Sequence, residues 1–209
     1  MVLAGGLAFA AVVALVIIGA VSRSGGGSST IPAEINRDGR TLGSPTAPVT
    51  VVAWEDFQCP FCRQANDTAL AQVIENYVKA GQVKVEYRHF AFLGNESIVA
   101  AEASECANDQ GKFWEYHDIL FANQQGENRG AFSTNRLKQM ADRVGLDRAM
   151  FDSCLESGKY RSAIEAETRA GRQLGIDSTP VFFVNGTKIS GAQPYSVFKT
   201  AIDKALAGQ

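Results

Sequence analysis

Two cysteines separated by two residues, Cys59-Pro60-Phe61-Cys62, carry the most chemistry in this 209-residue chain. An apolar β-type run, Val49-Thr50-Val51-Val52-Ala53-Trp54, leads into them, and an amphipathic helical run from about Arg63 to Ala80 leads away. A pair with this spacing at a strand-to-helix turn can close reversibly into a disulfide. Cys59 falls at the N-cap, with Pro60 at the first helical position, where a missing N–H is no loss. Backbone N–H groups of Phe61 and Cys62 then point at the Cys59 sulfur, and the helix dipole adds to them, so the thiolate is favoured over the thiol. A stabilised thiolate is a good leaving group and stabilises the reduced form, which makes the pair more oxidising than an ordinary dithiol. Cys62, one turn further in, is expected to be less exposed and suited to resolving a mixed disulfide. The chemistry indicated is thiol–disulfide exchange.

Half of a zinc site is the competing reading of Cys-x-x-Cys. It requires two further ligands, and Cys106 and Cys154 lie far along the chain, not in a second tight pair. A zinc-stabilised or redox-inactive binding module is therefore the alternative of another class. The two histidines, His89 and His117, are flanked by aromatic or strand residues and read as packing or surface groups, so no metal site is expected.

The elements that must hold the pair follow from periodicity. Asp38-Gly39 and the Pro45/Pro48 region punctuate the entry to the strand at 49–54. After the pair, Ala69, Leu70, Val73, Ile74, Tyr77 and Val78 recur at helical spacing, and Gly81 stops the helix. Val83-Lys84-Val85-Glu86-Tyr87 alternates as a second strand. From Glu96 to Gly175 the period is helical, with helices predicted at about 97–109, 111–123, 134–144, 147–157 and 160–174. Gly111, Gly145, Gly158 and Gly175 bound them, with Ser133 and Asp147 as N-caps. The β pattern resumes at Val181-Phe182-Phe183-Val184, turns at Asn185-Gly186, continues through Lys188-Ile189-Ser190, and a last helix runs from about Tyr195 to Leu206. Ser178-Thr179-Pro180 sits directly before the apolar strand, where proline's missing donor is tolerated.

Residues 1–21 differ from the rest: Val2 to Val21 contains no charge. Twenty helical residues reach roughly 30 Å, the thickness of a bilayer's hydrocarbon core. An uncleaved transmembrane anchor is expected; a cleaved signal peptide is the rival, since Ala20-Val21-Ser22 offers small residues where cleavage would occur. Arg23 on the C-terminal side is one basic residue against the expected orientation. Residues 22–30 form a Gly/Ser linker spanning roughly 15–18 Å, and 31–209 is one domain's worth of chain. With 20 basic against 22 acidic residues and no basic run, nothing points to nucleic acid. Four cysteines behind an export-type segment favour an oxidising compartment.

The strand–CPFC–helix unit, the Thr179-Pro180 before Val-Phe-Phe-Val-Asn-Gly and the helical stretch between them together resemble the DsbA family of thioredoxin-fold proteins, in its membrane-anchored, single-domain bacterial form. Glu55-Asp56-Phe57-Gln58 ahead of the pair, Gln110-Gly111-Lys112-Phe113-Trp114 and Gly191-Ala192-Gln193-Pro194-Tyr195 strengthen the likeness, which covers about 41–207. The fold implied is α/β, thioredoxin-like, interrupted by an all-helical insertion over about 96–175, with an N-terminal transmembrane helix. The resemblance also implies a cis Thr179–Pro180 bond facing the Cys59 sulfur, beside backbone that pairs with an extended substrate.

Two departures bear on this. Family members often place a buried acid six residues before the first cysteine; here that position is Ala53, and Glu55, of the same strand parity, is the candidate replacement, with a surface role for Glu55 and Asp56 as the alternative. Phe61 stands where the best-studied oxidases carry a histidine, so a less extreme oxidant is expected. Cys106 and Cys154 each fall on an apolar helical face. Related anchored members carry a second, structural disulfide, and a Cys106–Cys154 bond is expected in an exported chain, with two buried free thiols as the alternative. Closing a loop of about 50 residues would stabilise the fold by up to about 4 kcal/mol.

The resemblance implies a monomeric extracytoplasmic thiol–disulfide oxidoreductase at the cell membrane that oxidises cysteine pairs of exported proteins. It would be reoxidised by a quinone-linked membrane partner of the DsbB or vitamin-K-epoxide-reductase type, with no soluble cofactor. A disulfide isomerase or reductase would use the same residues, and Thr179 is compatible with either direction.

Overall fold

The computed structural model describes residues 31–208. The span expected over 1–21 and the linker over 22–30 lie outside the described residues. Among the described residues no helix is long and apolar enough to cross a membrane.

A six-stranded sheet in the order β1-β2-β4-β3-β5-β6 carries the molecule. Its centre is β3 (Val49–Glu55), parallel to β4 (Val83–His89) and antiparallel to β5 (Val181–Val184), which forms a hairpin with β6 (Thr187–Ser190). The sequence reading of these strands holds, with β4 running two residues further than its alternation suggested. The hairpin β1 (Arg37–Asp38) and β2 (Thr41–Leu42) was not predicted, because strands of two residues have no period to read. It turns at Gly39-Arg40, where Gly39 takes the left-handed φ of 55°.

The helix after the cysteine pair, α1, begins at Pro60–Ala65, widens into π turns at Asn66–Leu70 and Ile74–Val78, and is regular at Ala71–Val73 between them. The insertion comprises α2 (Asn95–Asn108), α3 (Phe113–Ala122), α4 (Thr134–Arg143), α5 (Arg148–Glu156) and α6 (Arg161–Gln173), and α7 (Tyr195–Ala207) closes the fold. All five insertion helices stand where periodicity placed them. Asp147 caps α5, its Oδ1 accepting from the Met150 N–H at 2.9 Å, whereas Ser133 precedes α4 without a side-chain cap bond.

Side-chain alternation along β3 separates two packed regions. Val49, Val51 and Ala53 enter the main core shared with α1, α7 and the insertion. Trp54 joins Phe90, Ile176 and Val181 in a second cluster, with Val52 packed against it. Gly171 of α6 lies against this cluster so closely that a Cβ there would meet the Phe90 ring at 2.7 Å. A Cys106–Cys154 disulfide, Cα–Cα 5.8 Å, ties α2 to α5. Cys106 is buried but Cys154 is only half-buried, so of the two apolar-face cysteines only the first lies fully within the core.

Candidate active site

The end of β3 and the start of α1 set the cysteine pair. Cys59 has extended backbone, φ −72° and ψ 119°, and occupies the N-cap with Pro60 following it in the first helical turn. Both cysteines are free thiols, Cys59 5% exposed and Cys62 fully buried. The Cys62 thiol, donating toward the Cys59 sulfur, lowers the Cys59 pKa to about 6, and the N–H groups of Cys62 and Phe61 and the side chain of Thr179 act in the same direction against burial. Burial pushes the Cys62 thiol well above its ordinary value, with the negative charges of Glu55 and Cys59 adding to it. The two sulfurs are thus split into one that ionises near neutral pH and one that holds its proton. Phe61 between them is 59% exposed, and Pro60 is exposed beside it.

The Thr179–Pro180 bond is cis, and the Cys59 thiol donates to the Thr179 carbonyl at 3.4 Å. Strand pairing produces this meeting. Trp54 of β3 stands opposite Val181 of β5, so one step along the antiparallel ladder brings Pro180 level with Glu55 at the edge of the pair. The Thr179 hydroxyl is buried and has no hydrogen-bond partner among the described residues while Cys59 is a thiol. A thiolate at Cys59 offers it an acceptor, which is the physical source of its contribution to the low pKa.

Both acids ahead of the pair are buried, each 1% exposed, so the surface alternative fails. Glu55 shares its face of β3 with Ala53, as parity requires. Burial raises its pKa to about 8, opposed by the Asn66 side chain and reinforced by negative charge at Cys59. The Asn66 Nδ2 donates to both Glu55 oxygens at 3.0 Å and to the Cys62 carbonyl at 2.9 Å. Asp56 is a structural hub. Its carboxylate accepts from the Gln58 N–H, the Phe92 and Leu93 N–H groups and the Ser97 hydroxyl, at 2.6–3.1 Å. Burial raises its pKa and those four bonds oppose the rise.

Three residues to which sequence reasoning gave no role in the site also hold the motif. Asn66 follows Cys62 by one helical turn, the local signal that places it near the pair. Gln124 donates to the Phe57 and Cys59 carbonyls at 2.6 and 3.1 Å, and Gln58 is bonded to Ser97 and to the Asn128 N–H. The polar loop after α3 therefore braces the cysteine turn from the insertion, a contact between segments far apart in sequence. Cys106 and Cys154 take no part in this constellation. His89 is buried and bonded to Glu105 at 2.8 Å, and His117 sits among aromatic rings with its Nδ1 on Asp118 at 3.0 Å. Among the described residues no cluster of three or more His, Cys, Asp or Glu side chains could hold a metal.

The arrangement can exchange a disulfide: an ionisable sulfur at a helix start, a buried partner sulfur, a buried acid next to the partner and a backbone carbonyl at the open side. Comparison with known proteins agrees. The thioredoxin family profile matches residues 36–204. A probable disulfide bond formation protein D of Bacillus cereus is 30% identical over 174 residues, covering 80% of this chain and 78% of that protein. The Na(+)/H(+) antiporter NhaA 1 of Salinispora arenicola is 34% identical over 85% of this chain, which spans only 26% of the antiporter's length. The crystal structure of oxidised BdbD from Bacillus subtilis superposes with a TM-score of 0.75 at 27% identity, covering 80% of this chain and 92% of that one. With the profile spanning most of the sequence and the Bacillus relative aligned over most of both lengths, the chain belongs to the thioredoxin family, among its DsbA-like thiol–disulfide oxidoreductases.

Proposed function

We propose that the chain is an extracytoplasmic thiol oxidase, held at the cell membrane by residues 1–21, which introduces disulfides into exported proteins through a Cys59–Cys62 disulfide. A substrate thiolate attacks the Cys59 sulfur, the Cys59–Cys62 bond breaks, and Cys62 leaves with the electron pair and takes a proton from Glu55. A second substrate thiolate attacks the substrate sulfur of the mixed disulfide and Cys59 leaves as a thiolate. The substrate has then lost two electrons and the Cys59/Cys62 pair has gained them. Pro180 and Thr179 border the attacked sulfur and present backbone to an extended substrate, and exposed Phe61 and Pro60 offer it an apolar contact. A quinone-linked membrane partner of the DsbB or vitamin-K-epoxide-reductase type would restore the disulfide.

The observation that carries the oxidase direction is the Cys59 pKa of about 6. A thiolate stabilised to that degree favours the reduced enzyme and hence oxidation of the substrate. Equilibration of the domain with glutathione buffers, Cys106 and Cys154 intact, tests it. A potential well above that of thioredoxin, roughly −270 mV, is expected; one at or below it would make the chain a reductase.

A further inference from the structure

Beside Asn66, which bonds to the buried Glu55, lies a groove. It has a volume of about 450 Å³ and lies between α1 and α3, with Arg63, Asn66, Ile74, Trp114, His117 and Phe121 in its wall. Cys59, Thr179 and Pro180 do not line it. Asn66 is half-buried and stands between this space and the Glu55 carboxylate, to which it donates at both oxygens while also holding the Cys62 carbonyl. The buried Trp114 Nε1 and His117 Nε2, on groove-lining residues, have no hydrogen-bond partner among the described residues. The groove is open to solvent, so water reaches the Asn66 side of the wall. The titratable groups facing Glu55 are Cys59 and Cys62 from α1 and Tyr87 from β4, while Asp56, next in the chain, spends its oxygens on the 92–93 backbone, Gln58 and Ser97. In the groove wall Arg63 and Asp67 pair with each other at 3.4 Å, His117 is bonded to Asp118, and Glu75 completes the charged groups.

We propose that Asn66 is a positioning residue and a gate: it aims the Glu55 carboxyl at Cys62 and, when its amide swings aside, admits water of the α1–α3 groove, which exchanges protons with Glu55 directly. The inference rests on the reading of Glu55 as the proton donor to Cys62. When Cys62 leaves the disulfide it takes the Glu55 proton, and groove water returns one to Glu55. When the pair is reoxidised the proton runs outward by the same path. Because the gate opens away from Cys59 and Pro180, a substrate lying across those residues leaves it free, and proton exchange continues inside the mixed disulfide.

The test compares Asn66→Leu, which keeps the wall closed but removes the donor, with Asn66→Ala, which removes the donor and admits groove water. The readouts are the Glu55 carboxyl titration by carbon NMR and the pH dependence of disulfide reduction by a cysteine peptide. Thermal melting serves as the check on folding, with Asn66→Met as the closed variant if Leu is not accommodated. In the closed variant Glu55 is expected to titrate roughly tenfold weaker, and the basic limb of the rate profile moves up with it. In Asn66→Ala both shifts are smaller, because water replaces the amide. The proposal falls if the closed variant leaves titration and limb where they are in the unsubstituted protein, or if Asn66→Ala moves them as far. Failure of the underlying reading looks different: Glu55→Gln would then leave the basic limb in place.

Discussion

Cys59 and Cys62 are the same residue type three positions apart, and the protein drives their chemistry in opposite directions. The difference lies in what meets each sulfur. Cys59 receives donors from the helix start and from Thr179, whereas Cys62 sits fully buried beside Glu55. Thr179 offers the cleanest single-residue test, because its hydroxyl is buried, unpartnered in the thiol state and close in size to a methyl group. Thr179→Val should raise the Cys59 pKa, shift its thiolate absorbance titration to higher pH and make the pair less oxidising, with little change in stability. An unmoved titration would show that the hydroxyl does not reach the thiolate. The sequence alone showed that Cys59 would be activated, since N-cap position and Pro60 are local facts. It left Glu55 and Asp56 undecided, because burial of an acid depends on what a distant segment lays over it.

At the scale of elements, the cysteine turn is held by side chains from three directions. Asp56 joins the end of β3 to the 92–93 segment and to α2, and Gln124 reaches in from the loop after α3. Asp56→Ala would strand two backbone N–H groups beyond the turn, the Gln58 N–H and the Ser97 hydroxyl. Since each buried unsatisfied donor costs about 1–3 kcal/mol, the denaturation free energy is expected to fall by roughly 3 kcal/mol or more, measured by denaturant titration. A loss below about 1 kcal/mol would mean that water replaces the carboxylate and that the hub is not structural. The helices of the insertion were legible because the 3.6-residue period persists over whole turns and glycines bound them. The β1–β2 hairpin was not, yet it delivers Arg40, which pairs with Glu105 and Glu167 at 3.3 and 2.6 Å and fastens the sheet edge to α2 and α6.

For the whole molecule, the site's ionisations link stability to redox state. Glu55 keeps its proton in the folded protein up to about pH 8, whereas the unfolded chain loses it near the ordinary value of 4.5. Folding therefore retains a proton that unfolding releases, and stability falls as pH rises between those values. Cys59 has the opposite sign: the folded thiol ionises near 6 and the unfolded one near 9.0, so the reduced protein gains stability as pH rises through that window. Between about pH 6 and 8 the two effects oppose each other in the reduced form, while the oxidised form, lacking the thiol, has only the loss. Denaturant titrations of both forms should diverge above pH 6. The limit is about 1.4 kcal/mol per pH unit, reduced by solvent screening because the Cys59 turn lies at the edge of the fold beside exposed Pro60 and Phe61. Parallel curves would refute the split of the two sulfurs.

Local chemistry was decided by the chain itself. A Cys-Pro-x-Cys turn between a strand and a helix makes an activated thiol wherever it folds, because cap, proline and backbone N–H groups are neighbours in sequence, and the helical insertion and strands follow from periods equally local. What needed the tertiary structure was the company kept by that turn. The cis Thr179–Pro180 at the Cys59 sulfur, the burial of Glu55 and Asp56, the Cys106–Cys154 pairing and the Gln124 brace all join segments far apart in sequence. Asn66, though only one turn beyond Cys62, took on its role only when the fold brought Glu55 to one side of it and an open groove to the other.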